Sequence, residues 1–406
     1  MQRQSSNLSI IVLFVGIISL FLISCTDSSN SPGKDGKEIS FLMCHYKGGQ
    51  FGNKYGLVLV HSPKSIEWVS DYYPCQLSTN FVDIKNGRIA FSCENPPKGK
   101  SPIAYMDIDD IKNIKFVPIP KSKDEKYYWS VPKAVRPQVM SDGRIIFKVI
   151  YETKNQYDDY HLGQMAIYNP KTDKFEMSGS LTPFIKEQPE KGSDTEAGSM
   201  NSTFSLSNDD KFVCLTAYGY GTSGGAYHQD KFFIVKYDIA SKKYTRITQV
   251  KADILFVSAD NQYVVVNSDT KKKRYNAHSD NTSGFVLDNY RDNICVGQYS
   301  RKNSYFFKIW RGSGMHFFDA NSGPLYLLIL GDSLKRPYRG LGRGAQFSPD
   351  EKFIYFMASK DFHTNYRSEF AILRTPADFG KVNTNPDSIF VLPADFDRPM
   401  FLLISK

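Results

Sequence analysis

The sequence predicts an all-β chain built from repeated four-stranded units that close into a ring, and three observations carry that expectation. Aromatic residues are abundant, with 25 Tyr and 29 Phe among 406 residues, and such rings favour half-buried pleated surfaces. Long apolar stretches with helical periodicity are hard to find. Most telling, one polar turn set between apolar strands recurs along the chain, and recurrence of that kind marks a repeat architecture.

The clearest copy of the turn runs Gln346-Phe347-Ser348-Pro349-Asp350-Glu351-Lys352-Phe353-Ile354-Tyr355-Phe356. The same grammar begins at Ser141, Ser207 and Ser258, with weaker copies at Lys34, Lys85 and Ser300. Seven turns follow one another at intervals of roughly 42 to 67 residues. Asp, Asn and Gly tolerate positive φ and bond their own backbone, which suits a two-residue hairpin. A second strand pair follows each turn, as in Gln164 to Tyr168, then Asn169 to Asp173, then Lys174 to Met177. Four strands per unit make a propeller blade, and the last strand, near Met400 to Ile404, is free to join the first blade and remove exposed edges. The expected fold is therefore a β-propeller of seven four-stranded blades closed by the C-terminal strand. The Phe-Ser-Pro-Asp-x-Lys-Phe-Ile-Tyr-Phe form starting at Phe347 resembles the TolB-type, WD40-like propeller repeat, while the other copies keep the turn and lose the Ser-Pro.

The chain begins differently. Arg3 precedes a predominantly apolar run from Leu8 to Ile23, which is shorter than a free-standing membrane helix and reads as a secretory signal. Leu22-Ile23-Ser24-Cys25 resembles the lipobox of bacterial lipoproteins, which implies a diacylglyceryl group on Cys25 and cleavage before it. The expected organisation is a signal peptide over 1–24, a lipidated Cys25 with a flexible tether over 25–37, and the propeller over 38–406. Thr26 stands where an Asp would resemble the inner-membrane retention signal of enterobacteria, so the resemblance implies the outer membrane.

Five further cysteines, Cys44, Cys75, Cys93, Cys214 and Cys295, leave an odd thiol in an oxidising compartment. All but Cys75 sit in apolar runs and read as buried small hydrophobes, with a bridge among Cys44, Cys75 and Cys93 left open. The net charge of +9 suits an anionic partner such as an acidic glycan or lipid headgroup, and no nucleic-acid motif is present.

Candidate site residues gather in the loops between second and third strands and between blades, on the face away from the Asp turns. His161, His228, His278, His316 and His363 fall there and are weak candidates for a divalent metal or a general base. The arrangement is similar to oligogalacturonate lyases, but their closely spaced ligand cluster is missing. Cations assigned to the same face are the Lys271–Arg274 run, Arg311, Lys335, Arg336, Arg339 and Arg343, and guanidinium groups clamp carboxylates or phosphates in paired hydrogen bonds. A Gly-rich loop carrying Tyr218, Tyr220 and Tyr227 offers rings for sugar stacking. Neither a Gly-x-Ser-x-Gly elbow nor a phosphate loop occurs. The expected function is a non-enzymatic, membrane-anchored binding module for an envelope protein or acidic glycan, with no cofactor. The alternative is a metal-assisted polysaccharide lyase or other envelope enzyme using the loop-face histidines.

Overall fold

The computed structural model describes residues 39–46, 56–62, 65–74, 82–120, 127–131, 135–153, 162–188, 195–223, 226–268, 271–279, 284–288, 305–310, 314–319, 323–329, 340–348, 350–359, 370–377, 387–391 and 396–405. Cys25, the signal segment and the tether lie outside them. Ile39–Lys406 forms one compact unit.

Within most sheets successive strands pair antiparallel with their sequence neighbours as a meander, whereas in the third Tyr127–Ser130 and Gln138–Val139 both pair with Ile145–Thr153. The second sheet shows the plan: Val82–Lys85, Arg88–Ser92, Ile103–Asp107 and Asp110–Phe116 in that order. The fourth comprises Thr195–Leu206, Phe212–Ser223, Ala226–Asp238 and Lys243–Gln249, and the fifth runs from Asp253–Val257 through Tyr263–Ser268 and Lys271–Asn276 to Phe285–Asp288. Phe396–Ser405 joins the first sheet beside Ile39–Tyr46, with Phe41 opposite Leu403 and Leu42 opposite Leu402. The C-terminal strand thus pairs with the first strand of the unit, as expected. Five of the sheets are four-stranded, whereas the third has five strands and the sixth has three. A count of seven four-stranded blades is therefore not reached among the described residues.

Core packing explains why these sheets stack around a centre. In Arg88–Ser92, Ile89 and Phe91 pack with Leu57 and Leu59 of the first sheet. The intervening Ala90 packs with Ile145 and Phe147 of the third. Alternate residues thus face opposite neighbours, and a strand covered on both faces reads as a continuous apolar run. The arrangement repeats onward: Ile146 meets Phe204 and Val213, then Phe212 and Cys214 meet Ile254 and Val264. Consecutive meanders packed face to face, with chain ends sharing a sheet, define a β-propeller.

The turns are longer than the two-residue hairpins expected. Among the described repeat turns only Asn86-Gly87 is of that type, with φ of 50° and 75° and Lys85 paired to Arg88, while the turns at Lys34 and Ser300 lie outside the described residues. At Ser207 and Ser258 four residues intervene, because Ser207 N donates to Phe212 O and Ser258 N to Tyr263 O, both at 2.8 Å. The third residue of each loop turns left-handed, at Asp210 (φ 60°) and Asn261 (φ 61°). The serine explains the length: Ser258 Oγ accepts from Tyr263 N at 2.9 Å and donates to Asp260 Oδ1, which in turn accepts from Gln262 N at 3.0 Å. Ser348 and Asp350 repeat that pattern, and the Ser348 hydroxyl holds the Asp350 carboxyl below its ordinary range. Turns joining third to fourth strands lie on the same face, since Ile108 N donates to Gly87 O, Ile239 N to Lys211 O, and Ala277 N to Gln262 O.

One side-chain pair recurs without being legible beforehand. The first residue of the second strand and the residue two steps along the facing strand form a cation–ring pair: Phe212 with Lys236, Tyr263 with Arg274, and Phe353 with Arg374. In the second sheet the roles swap, Arg88 lying over Tyr105 at 5.4 Å.

Candidate binding face and the closed turn face

Among the described residues, the inner strands of the second to fifth sheets are stitched each to the next by short polar side chains. Asp83 Oδ2 accepts from Val139 N at 2.7 Å. Gln138 donates from Nε2 to Phe204 O and accepts from Leu206 N at Oε1, at 2.9 and 2.7 Å. Ser205 Oγ accepts from Val257 N at 3.0 Å, and Thr203 Oγ1 from Ile254 N at 3.3 Å. Each bond satisfies a backbone group that the neighbouring sheet leaves open.

At the turn face this stitching becomes a closure. Lys85 reaches past the third sheet to Asp210, Nζ to Oδ1 at 2.6 Å, with side chains only 11% and 13% exposed. Asp210 Oδ2 also accepts from Ser141 N at 2.5 Å, Asn86 Nδ2 donates to Ser141 O, and Asn208 N donates to Asn261 Oδ1. His278 Nε2 donates to Asn261 O at 2.8 Å, its ring edge-on to Phe212. The space left among Asp83, Lys85, Gln138, Ser207 and Asn208 is on the order of one water molecule.

These contacts correct several expectations. His278 belongs to the turn face, because Lys271–Asn276 runs back toward the Asp turns. Lys271 to Arg274 form part of that strand and not a loop, with Arg274 lying over Tyr263 at 4.4 Å. Tyr218 and Tyr220 lie in the strand Phe212–Ser223, and Tyr227 and His228 in Ala226–Asp238. Register extends to Ser223 opposite Ala226, so the Gly-Tyr segment is a long hairpin. Tyr218 is 5% exposed and packs against Phe232, which removes it as a stacking platform. His316 lies within Gly314–Asp319, and Arg343 within Gly340–Phe347, where the register shifts between Leu341 and Ala345. His161, His363, Arg311, Lys335, Arg336 and Arg339 lie outside the described residues. Among the described residues no group of three His, Cys, Asp or Glu side chains is placed to hold a metal.

Cys93 and Cys214 are free buried thiols, pushed by burial up to about 11 and about 12, so neither is a nucleophile at neutral pH. Lys148 was missed from the sequence. Its ammonium is buried between the third and fourth sheets, the residue 8% exposed, and donates to Met200 O at 2.7 Å. Thr216, at the matching place in the fourth sheet, donates its hydroxyl to Ala252 O at 2.6 Å. Both clasp the next blade, but only Lys148 does so with a charge, and burial lowers it to about 8. A Cβ on Gly163 would meet Lys148 Cε at 2.9 Å, so that glycine makes room for the stem.

No family model and no curated protein matches the sequence. Solved structures with some likeness to the chain include a periplasmic gluconolactonase of Pseudomonas aeruginosa, 12% identical with a TM-score of 0.44 over 90% of this chain and 99% of that one. A putative TolB from Agrobacterium tumefaciens is 10% identical with a TM-score of 0.32 over 91% and 99%. The C-terminal WD40 domain of Sif2 is 10% identical with a TM-score of 0.40 over 79% and 88%.

Proposed function

We propose that the chain is a lipid-anchored propeller of seven blades in the cell envelope, a binding or scaffold module that offers its loop face to an envelope protein or an acidic glycan. The observation that carries this reading is the closure of the opposite face. Among the described residues there, Asp83, Asp210, the Lys85 ammonium and the backbone donors of Val139 and Ser141 are paired with one another, so these groups are already engaged on that side. To the opposite face this reading assigns Arg311, Lys335, Arg336 and Arg339 from the sequence, with Arg343 in the strand Gly340–Phe347 that follows them. Convergent guanidinium groups suit carboxylate or phosphate, and a net charge of +9 steers anionic polymers toward the chain.

Charge reversal at Arg336, Arg339 and Arg343 together is expected to abolish retention on immobilised polygalacturonate and to leave thermal unfolding unchanged. Undiminished retention sinks the assignment of the face. For the anchor on Cys25, Cys25→Ala is expected to move the chain from the membrane fraction to the soluble fraction, because two or three acyl chains supply the hold. A substituted chain that stays in the membrane fraction overturns the lipidation.

A further inference from the structure

Arg136 breaks the rule its neighbours follow. Asp83, Gln138, Thr203 and Ser205 each stitch to the adjacent inner strand. Arg136, two residues before Gln138 on the third sheet, instead passes the fourth sheet and donates from Nη1 to Leu255 O of the fifth at 3.2 Å. A side chain that joins two sheets across the one between them spans a chord of the central channel. Its acceptor is available because the register of Asp253–Val257 shifts between Ile254 and Phe256, which takes Leu255 out of the ladder. Lys85 makes a similar crossing, yet Lys85 ends on a carboxylate. Arg136 ends on one carbonyl, and its Nε is buried with no hydrogen-bond partner. A guanidinium has five donors in a fixed fork, and the fork is built to take paired oxygens. With Nη1 engaged, the edge formed by Nε and Nη2 is the side left over. Arg136 is only partly buried, and among the described residues the Lys85–Asp210 pair crosses the turn-face side, so approach is taken from the loop face.

We infer that the central channel holds an oxyanion site in which the Nε–Nη2 edge of Arg136 receives a carboxylate or phosphate group of a ligand entering from the loop face. The inference rests on the loop-face reading for the route of entry alone.

The test is thermal unfolding of the full chain in mild detergent, titrated with inorganic phosphate and, separately, with succinate, against chloride at equal ionic strength. A ligand that binds only the folded chain raises its melting temperature saturably. The wild type is expected to show that rise with at least one of the two anions, Arg136→Gln to lose it, and Arg136→Lys to need about tenfold more anion, since an ammonium keeps the charge without the fork. If Arg136→Gln does not fold, Arg136→Lys carries the comparison, because it keeps a donor for Leu255 O. No saturable rise in the wild type, or the same rise in the variants, overturns the site. Reversal at Arg336, Arg339 and Arg343 is expected to leave this response in place, so failure of the loop-face reading and failure of the channel site give different results.

Discussion

Titrated from about pH 7 to about pH 11, the wild-type chain is expected to gain about 3 kcal/mol of stability relative to a Lys148→Met variant. Burial lowers Lys148 from 10.5 to about 8 in the folded chain, and the described residues around it, Gly163, Ser199 and Met200, carry no charge. Below about 8 both folded and unfolded chains hold the proton, and the folded chain bears the full penalty of a buried ammonium. Between about 8 and 10.5 the folded chain has released the proton while the unfolded chain has not, so stability rises with pH across that window and levels off above it. Met follows the lysine stem and does not titrate, so groups common to both chains cancel in the difference. Denaturant unfolding at several pH values measures it. Parallel pH profiles would mean that the amine reaches water.

Asp210→Ala is expected to cost about 3 kcal/mol. The carboxylate is the partner of Lys85 and the acceptor for Ser141 N, so its loss strands a nearly buried ammonium and a backbone donor together. Alanine at φ 60° adds backbone strain of about 1 kcal/mol. Asp210→Asn keeps the left-handed tolerance and an acceptor oxygen, and is expected to lose about half as much. If Asp210→Ala unfolds at the wild-type denaturant midpoint, the turn face is not held together as described.

How much of this was legible depended on the range of the interaction. Ser348, Asp350 and the strand after them announce their turn because every bond within it is local, and the hydroxyl and carboxylate needed are both in the motif. Turn length was misread because the sequence shows which residues accept positive φ but not where the closing pair falls, and Ser207 closes on Phe212. The Gly-Tyr segment looked like a loop because glycine is rare inside strands, yet cross-strand pairing carries it out to Ser223. The cation run at Lys271 reads as a loop-face cluster from its charge alone, while the guanidinium of Arg274 lies over Tyr263 within a strand. The sequence puts His278 on the wrong face because a face follows from strand direction, and only two residues separate Ser268 from the strand that leads to His278. The stitches of Asp83, Gln138, Lys85 and Arg136 join residues 56 to 125 positions apart. No local pattern encodes such pairs, so the closed face and the channel arginine emerged only from the fold.

The central claim is that one face binds and the other is sealed. Hydrogen exchange of the full chain with and without polygalacturonate tests it most directly. The account predicts slowed exchange in the segments carrying Arg311 and Lys335 to Arg343, with residues 140–144, 207–212 and 258–263 unchanged. Protection centred on those three turns, with the arginine segments unaffected, would contradict it.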